Sequence, residues 1–261
     1  MLSPGTRPVG YDERGTGSPV VLLHPFPFAR DIWADLAEVL ASDHRVISVD
    51  GRGFGETPLG GGYAIADLAD DLASLLDHLD VPRVAVLGMS MGGYTALAFA
   101  LRHPTRLAAL VLCDTRAAAD SAETRAARDG AIARIRTTGS EPYLAGSLAR
   151  LLSPSAPAAL VAFLRARAET RAASLIAGIE ALRDRPDRRG ELAAIGVPTL
   201  VIRGVADQVT PADDMQQMAG AIAGATFVPI PGAGHLSHVE APGPFERALT
   251  TFLATASKGE A

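Results

Sequence analysis

The chain has 261 residues, 48% of them hydrophobic, a single cysteine and a formal net charge of −5. That length and apolar content supply a sizeable core, the lone Cys113 excludes an internal disulfide, and the acidic balance gives no support to a nucleic-acid partner. No apolar run approaches the roughly 18 residues of a spanning helix, and the opening MLSPGTRPVGYDERG lacks the basic-then-apolar layout of an export signal, so a soluble cytoplasmic protein without membrane partners is expected.

In chain order, short runs rich in Val, Leu or Ile read as buried strands: VVLLH (20–24), RVISVD (45–50), RVAVLG (83–88), LAALVLC (107–113), TLVIR (199–203) and TFVPI (226–230). Between them lie helical patterns, clearest in DIWADLAEVL, IADLADDLASLLDHL and MGGYTALAFALR. Such alternation predicts an α/β fold: a mostly parallel central sheet with helices on both faces. From about Arg116 to Gly190 the rhythm breaks. Helical segments rich in Ala, Leu and Arg replace the strands, and Leu175, Ile176, Ile179 and Leu182 share one helical face. This predicts a core of residues 1–115 and 191–261, with residues 116–190 as a helical lid over the C-terminal edge of the sheet, where open α/β sheets bind ligands. The lid holds 13 Arg against 8 acidic residues. Solvated helix faces and attraction to the acidic core explain this more simply than recruitment of an anionic substrate.

The strongest chemical signal is Gly88-Met89-Ser90-Met91-Gly92-Gly93, directly after one strand pattern and opening a helix. A nucleophile on so sharp a turn needs neighbours without side chains, which Gly88 and Gly92 provide, and the helix N-terminus beneath it favours developing negative charge. A serine hydroxyl needs an adjacent base. His235, in the Gly-rich loop after TFVPI, is preferred over His238 three residues on; His24, at the end of a strand, reads as structural. The base needs a carboxylate on its other nitrogen. Asp207, after TLVIR, sits one strand before the His loop, and Asp114, after LVLC, is the rival. Cys113 reads as a buried structural thiol. A tetrahedral intermediate needs two N–H donors. Met91 follows the nucleophile, and in His24-Pro25-Phe26-Pro27-Phe28 the prolines cannot donate, which points to Phe26. A largely apolar pocket is expected from Phe26, Phe28, Met91, Tyr143, Leu148 and Leu236. No cofactor or metal is implied: there is no H-E-x-x-H and no compact His/carboxylate cluster.

Taken in order, HPFPF, DGRGFGET, GMSMGG, RGVADQVTP and GAGHLSHVEAP resemble the α/β-hydrolase superfamily over essentially the whole chain. The order Ser90, Asp207, His235 is the one expected of that fold. Small lidded members look nearest: 3-oxoadipate enol-lactonase-like hydrolases, carboxylesterases and cofactor-free haloperoxidases or perhydrolases. The resemblance implies a serine hydrolase acting on a small ester or lactone, with the N–H groups of Phe26 and Met91 as oxyanion donors. It leaves open perhydrolysis, C–C bond hydrolysis with the same triad, a non-catalytic small-molecule receptor, and a homodimer. Pro25 stands where the family usually has Gly. Serine rather than aspartate at position 90 argues against the dehalogenase and epoxide hydrolase members. Asp50-Gly51-Arg52-Gly53-Phe54-Gly55 resembles a structural loop beside the site.

Overall fold

All six apolar runs form strands in the computed structural model, which describes residues 8–256: β2 (Ser18–Leu23), β3 (His44–Val49), β4 (Val84–Met89), β5 (Leu107–Cys113), β6 (Thr199–Gly204) and β7 (Thr226–Ile230). A seventh, β1 (Tyr11–Arg14), precedes them and has no counterpart in the sequence reading. It is a polar YDER segment, mostly exposed, that pairs antiparallel with the edge of β3, so it needs no apolar run to hold it. The sheet order is β1-β3-β2-β4-β5-β6-β7, and every pair except β1 with β3 is parallel.

Strand residues alternate between two apolar clusters, one on each face. Val21, Leu23, Val84, Val86, Leu110, Leu112 and Val201 lie on one side. Val20, Leu22, Ala85, Leu87, Met89, Val111, Leu200 and Ile202 lie on the other. The first cluster is covered by α2 (Ile65–His78), α3 (Met91–Arg102) and α8 (Ala212–Ala221). The second is covered by α1 (Ala34–Leu40) and α10 (Pro242–Ala256). Being buried on both faces is what makes these strands read as continuous apolar runs rather than alternating ones. The short α9 (Ser237–Glu240) precedes α10.

Between β5 and β6 the chain forms α4 (Ala122–Thr138), α5 (Ser140–Ser147), α6 (Ala158–Arg167) and α7 (Ala172–Arg183), with no strand among them. Ile132, Ile135, Leu144, Leu148, Leu152 and Leu164 of this helical insertion are buried in the same cluster as Leu236 of the His loop. The expected single face of α7 is wider than its leucine spacing suggested. Leu175 and Ile179 join this cluster, whereas Leu182 joins the opposite one, and Ser174, Ala177, Gly178 and Ala181 are also buried. The arginines of the insertion pair locally: Arg116, Arg128 and Arg185 surround the buried Asp120, Arg125 and Arg183 hold Asp184, and Arg171 holds Glu169. The arginine excess is thus spent largely on ion pairs within the insertion and at its root. Among the described residues no helix is long and apolar enough to cross a membrane. The N-terminal stretch read for an export signal begins in residues outside those described.

Candidate active site

Parallel register brings the C-terminal ends of β2, β4, β5, β6 and β7 to one rim: Leu23 pairs with Gly88, Met89 with Cys113, Cys113 with Ile202, and Gly204 with Ile230. The residues that follow these ends, His24, Ser90, Asp114, Asp207 and His235, therefore gather at one edge although up to 211 positions separate them in sequence.

Ser90 sits between β4 and α3 at φ 52°, ψ −111°, a conformation that a non-glycine residue holds only when its surroundings impose it. Those surroundings are visible. A Cβ on Gly88 would run into the carbonyl of Gly92, and a Cβ on Gly92 into the carbonyl of Leu23, so the turn closes only with glycine at both positions. The Ser90 N–H donates to the Cys113 carbonyl at 2.9 Å, and the Thr115 hydroxyl donates to the Ser90 carbonyl at 2.9 Å. Backbone bonds on both sides thus fix the turn, while the Ser90 side chain stays partly exposed.

The Ser90 hydroxyl lies 2.8 Å from Nε2 of His235, and Nδ1 of His235 lies 2.9 Å from Oδ2 of Asp207. The buried carboxylate draws the ring proton to Nδ1, leaving Nε2 to accept from Ser90. Asp207 is itself anchored: its Oδ1 accepts from the N–H groups of Val209 (2.7 Å) and Thr210 (3.2 Å), and Arg203 donates to its carbonyl at 3.1 Å. Burial alone would lower the His235 pKa. The hydrogen bond and charge of Asp207, with smaller contributions from Asp114 and Glu240, outweigh it and raise the pKa above its usual value. For Asp207 burial acts upward, but the His235 contact and the two backbone N–H donors leave its carboxylate below the usual range.

The rival carboxylate, Asp114, is spent elsewhere. Its Oδ1 accepts from the Gly204 N–H at 2.7 Å and its Oδ2 from the Ser237 hydroxyl at 2.6 Å, so it braces the His loop without touching the imidazole. Complete burial, then the nearby Asp207, push its pKa up to about 7 against the opposing pull of His235. His238 turns away from Ser90. Its ring packs 4.3 Å from that of Trp33, and burial lowers its pKa to about 3. His24 is buried and structural: its Nε2 accepts from the Gly51 N–H at 2.9 Å, which ties the DGRGFG loop to the end of β2. Within that loop the Asp50 carboxylate accepts from the N–H groups of Arg30 and Glu56. Cys113 is fully buried, and burial raises its thiol pKa well above the ordinary value, the opposite of what a reactive thiol needs.

In the loop after β2 the Phe28 N–H donates to the Pro25 carbonyl at 3.0 Å. Among the described residues neither the Phe26 N–H nor the Met91 N–H at the start of α3 has a backbone acceptor. The expected pocket residues divide. The Phe26 ring bridges the two clusters, meeting Phe54 edge-on at 5.8 Å and reaching α7 at Gly178. Tyr143 is partly buried against the cluster that holds Leu148 and Leu236, both fully covered. Phe28 is a core residue in the cluster with Ile32 and Trp33. For Met91 the expectation of a pocket-lining side chain is corrected. Its side chain is buried in the cluster under α2 and lines a small cleft of about 30 Å³ with His24, Asp50, Gly51 and Leu72. Thr115, Arg203 and Ser237 hold the three loops: Arg203 and Ser237 lie inside RGVADQVTP and GAGHLSHVEAP without an assigned role, and Thr115 lies outside every motif, marked only by its place beside a strand end. Among the described residues no group of three or more His, Cys, Asp or Glu is arranged to hold a metal ion.

Comparison with known proteins bears on the fold and the family. The chain is 32% identical over 262 aligned positions to the candidate carbamate hydrolase RutD of Variovorax paradoxus, covering 96% of this chain and 97% of the relative. It is 31% identical to 3-oxoadipate enol-lactonase 2 of Acinetobacter baylyi, covering 85% of this chain and 83% of the relative. A thermophilic esterase from Thermogutta terrifontis superimposes with a TM-score of 0.92 at 36% identity, covering 97% of this chain and 96% of the esterase. The model of the alpha/beta hydrolase fold matches residues 18–242, and the chain belongs to that family.

Proposed function

We propose that this chain is a serine hydrolase that cleaves a small carboxylic ester or lactone through an acyl-enzyme on Ser90. The observation that carries the reading is the unbroken hydrogen-bonded line from Asp207 through His235 to a serine held on a strained, partly exposed turn. His235 takes the Ser90 proton as Oγ attacks the carbonyl, and Asp207 stabilises the imidazolium that forms. The oxygen of the tetrahedral intermediate is held by the N–H groups of Phe26 and Met91. The imidazolium then returns its proton to the leaving alkoxide. A water activated by His235 releases the acid in the second half-reaction. Phe26 and Tyr143, both only partly buried, belong to the apolar wall that receives the acyl and alkyl groups, Leu148 and Leu236 pack behind it, and the helical insertion acts as the lid that contributes part of it.

A panel of p-nitrophenyl esters, small lactones, aryl carbamates and a carboxylate-plus-peroxide assay, run on wild type and Ser90→Ala, tests this. Wild type should turn over esters or lactones with burst kinetics and take up a fluorophosphonate at Ser90, and Ser90→Ala should do neither. A folded wild-type protein that fails to react with the fluorophosphonate would overturn the reading in favour of a non-catalytic receptor.

A further inference from the structure

The loop that carries His235 is gripped from two sides. On the core side His235 meets Asp207, Ser237 donates to Asp114, and the Ala206 N–H donates to the Ala233 carbonyl at 2.8 Å. On the other side the grip comes from the helical insertion. The backbone N–H of His235 itself donates to the carbonyl of Leu151 at 3.0 Å. One carboxylate then spans the gap: Glu240 accepts from the Gly234 N–H through Oε1 at 2.8 Å and from the Ser153 N–H through Oε2 at 2.7 Å. The two backbones are in direct contact here. A Cβ on Gly234 would come within 2.5 Å of the Ser153 nitrogen and 2.6 Å of the Leu152 carbonyl carbon, so position 234 admits only glycine while the segment is docked. Leu152 and Leu236, both buried in one cluster, close the contact beneath.

We propose that Glu240 is a positioning residue that makes docking of the Leu151–Ser153 segment of the insertion part of how His235 is placed against Ser90. The inference rests on the serine-hydrolase reading above. Without the Glu240 bridge, the Gly234 and Ser153 N–H groups lose their acceptor together, and the His235 N–H is left to hold Leu151 alone. The core-side bonds hold the imidazole at Nδ1 and the loop backbone at Ala233, but the N–H groups of Gly234 and His235 are held only from the insertion side and by Glu240. Displacements on the scale of 1 Å at a reacting group cost about 100-fold in rate. The cost falls on the chemical step, because Glu240 is spent on backbone N–H groups rather than on the apolar wall that receives substrate.

The test uses Glu240→Gln, Ser153→Pro and the double variant. Glutamine keeps one acceptor but must turn its amide toward the other N–H, so one of the two bonds is lost in either orientation. Proline at 153 removes the N–H given to Oε2 and sets its Cδ against that oxygen, so it breaks the bridge and pushes the segment off the His loop together; the extended Leu152 (φ −108°, ψ 161°) already has the backbone that a following proline requires. We expect kcat on a p-nitrophenyl ester, and the rate of fluorophosphonate labelling of Ser90, to fall by about 10- to 100-fold in each single variant with KM within about twofold of wild type. The double variant should be no worse than the poorer single one, because both remove the same bridge. Amide hydrogen exchange across residues 148–156 should quicken in Glu240→Gln. Folded single variants with wild-type kcat and labelling rate, or a double variant whose losses multiply, overturn the proposal. A loss confined to thermal stability, with kcat unchanged, does the same. If Glu240→Gln does not fold, Ser153→Pro, which leaves the carboxylate in place, decides by the same kcat and labelling criteria. Wild type that labels while the variants match it rejects the role of Glu240 alone; wild type that does not label rejects the hydrolase reading.

Discussion

Replacing Asp207 by asparagine is the sharpest test of how the imidazole is held, because the structure dictates which way the new amide must face. Oδ1 of Asp207 accepts two backbone N–H groups, from Val209 at 2.7 Å and Thr210 at 3.2 Å. Turning an asparagine so that its NH₂ pointed at them would strand both donors, at about 1–3 kcal/mol each. The amide oxygen therefore stays on the loop and the NH₂ faces Nδ1 of His235. Nδ1 must then accept, the ring proton moves to Nε2, and the imidazole presents a donor to Ser90 where a base is required. The expected loss in kcat is about 10,000-fold, the scale on which a wrong imidazole tautomer costs serine hydrolases. At 1.36 kcal/mol per decade this is about 5.4 kcal/mol of transition-state stabilisation. Steady-state turnover of a p-nitrophenyl ester, alongside a thermal melt to establish folding, measures it. A folded Asp207→Asn protein within tenfold of wild-type kcat would refute the argument and mean that another carboxylate sets the tautomer.

Other outcomes follow from the same contacts. Asp114→Asn removes a carboxyl that, with its pKa near 7, is partly ionised where His235 titrates and there favours the imidazolium, so the acid limb of the kcat/KM profile should move modestly to lower pH; a limb that moves up contradicts this. In the wild type that limb should lie above the ordinary histidine pKa, since the folded-state pKa of His235 is raised and the neutral form is the active one. By linkage, the stability that His235 gains from Asp207 is present in full below the unfolded pKa of the histidine and is lost as pH rises through the folded one; a pH series of thermal melts comparing wild type with Asp207→Asn reads this out. Gly92→Ala should cost several kcal/mol, about 3 or more, or prevent folding, because its Cβ meets backbone at Leu23 rather than a side chain that can move; chemical denaturation reads it out. Leu175→Ala, which empties a fully buried site between the insertion and the sheet, should cost about 2–5 kcal/mol in the same assay.

Much of the site was legible in one dimension because its signals are local. Apolar runs such as RVAVLG and TLVIR form strands for the same reason that they stand out: both faces of the sheet are covered. Glycines at 88 and 92 mark the Ser90 turn because carbonyls on either side leave no room for a Cβ. The order of strands was not legible, since the path of β3 outside β2 and the pairing of the polar β1 with it depend on partners distant in the sequence. The sequence favoured Asp207 over Asp114 by its place before the His loop, but could not say what becomes of the rival. Both follow strands at the same rim, and only packing shows that the oxygens of Asp114 are taken by Gly204 and Ser237 while Asp207 keeps one for the imidazole. The Met91 side chain, expected beside substrate, is buried in the cluster under α2. Glu240 lies within GAGHLSHVEAP, but nothing in that segment gave it a role, because its partner in the insertion is a backbone N–H, and a backbone group has no letter in the sequence.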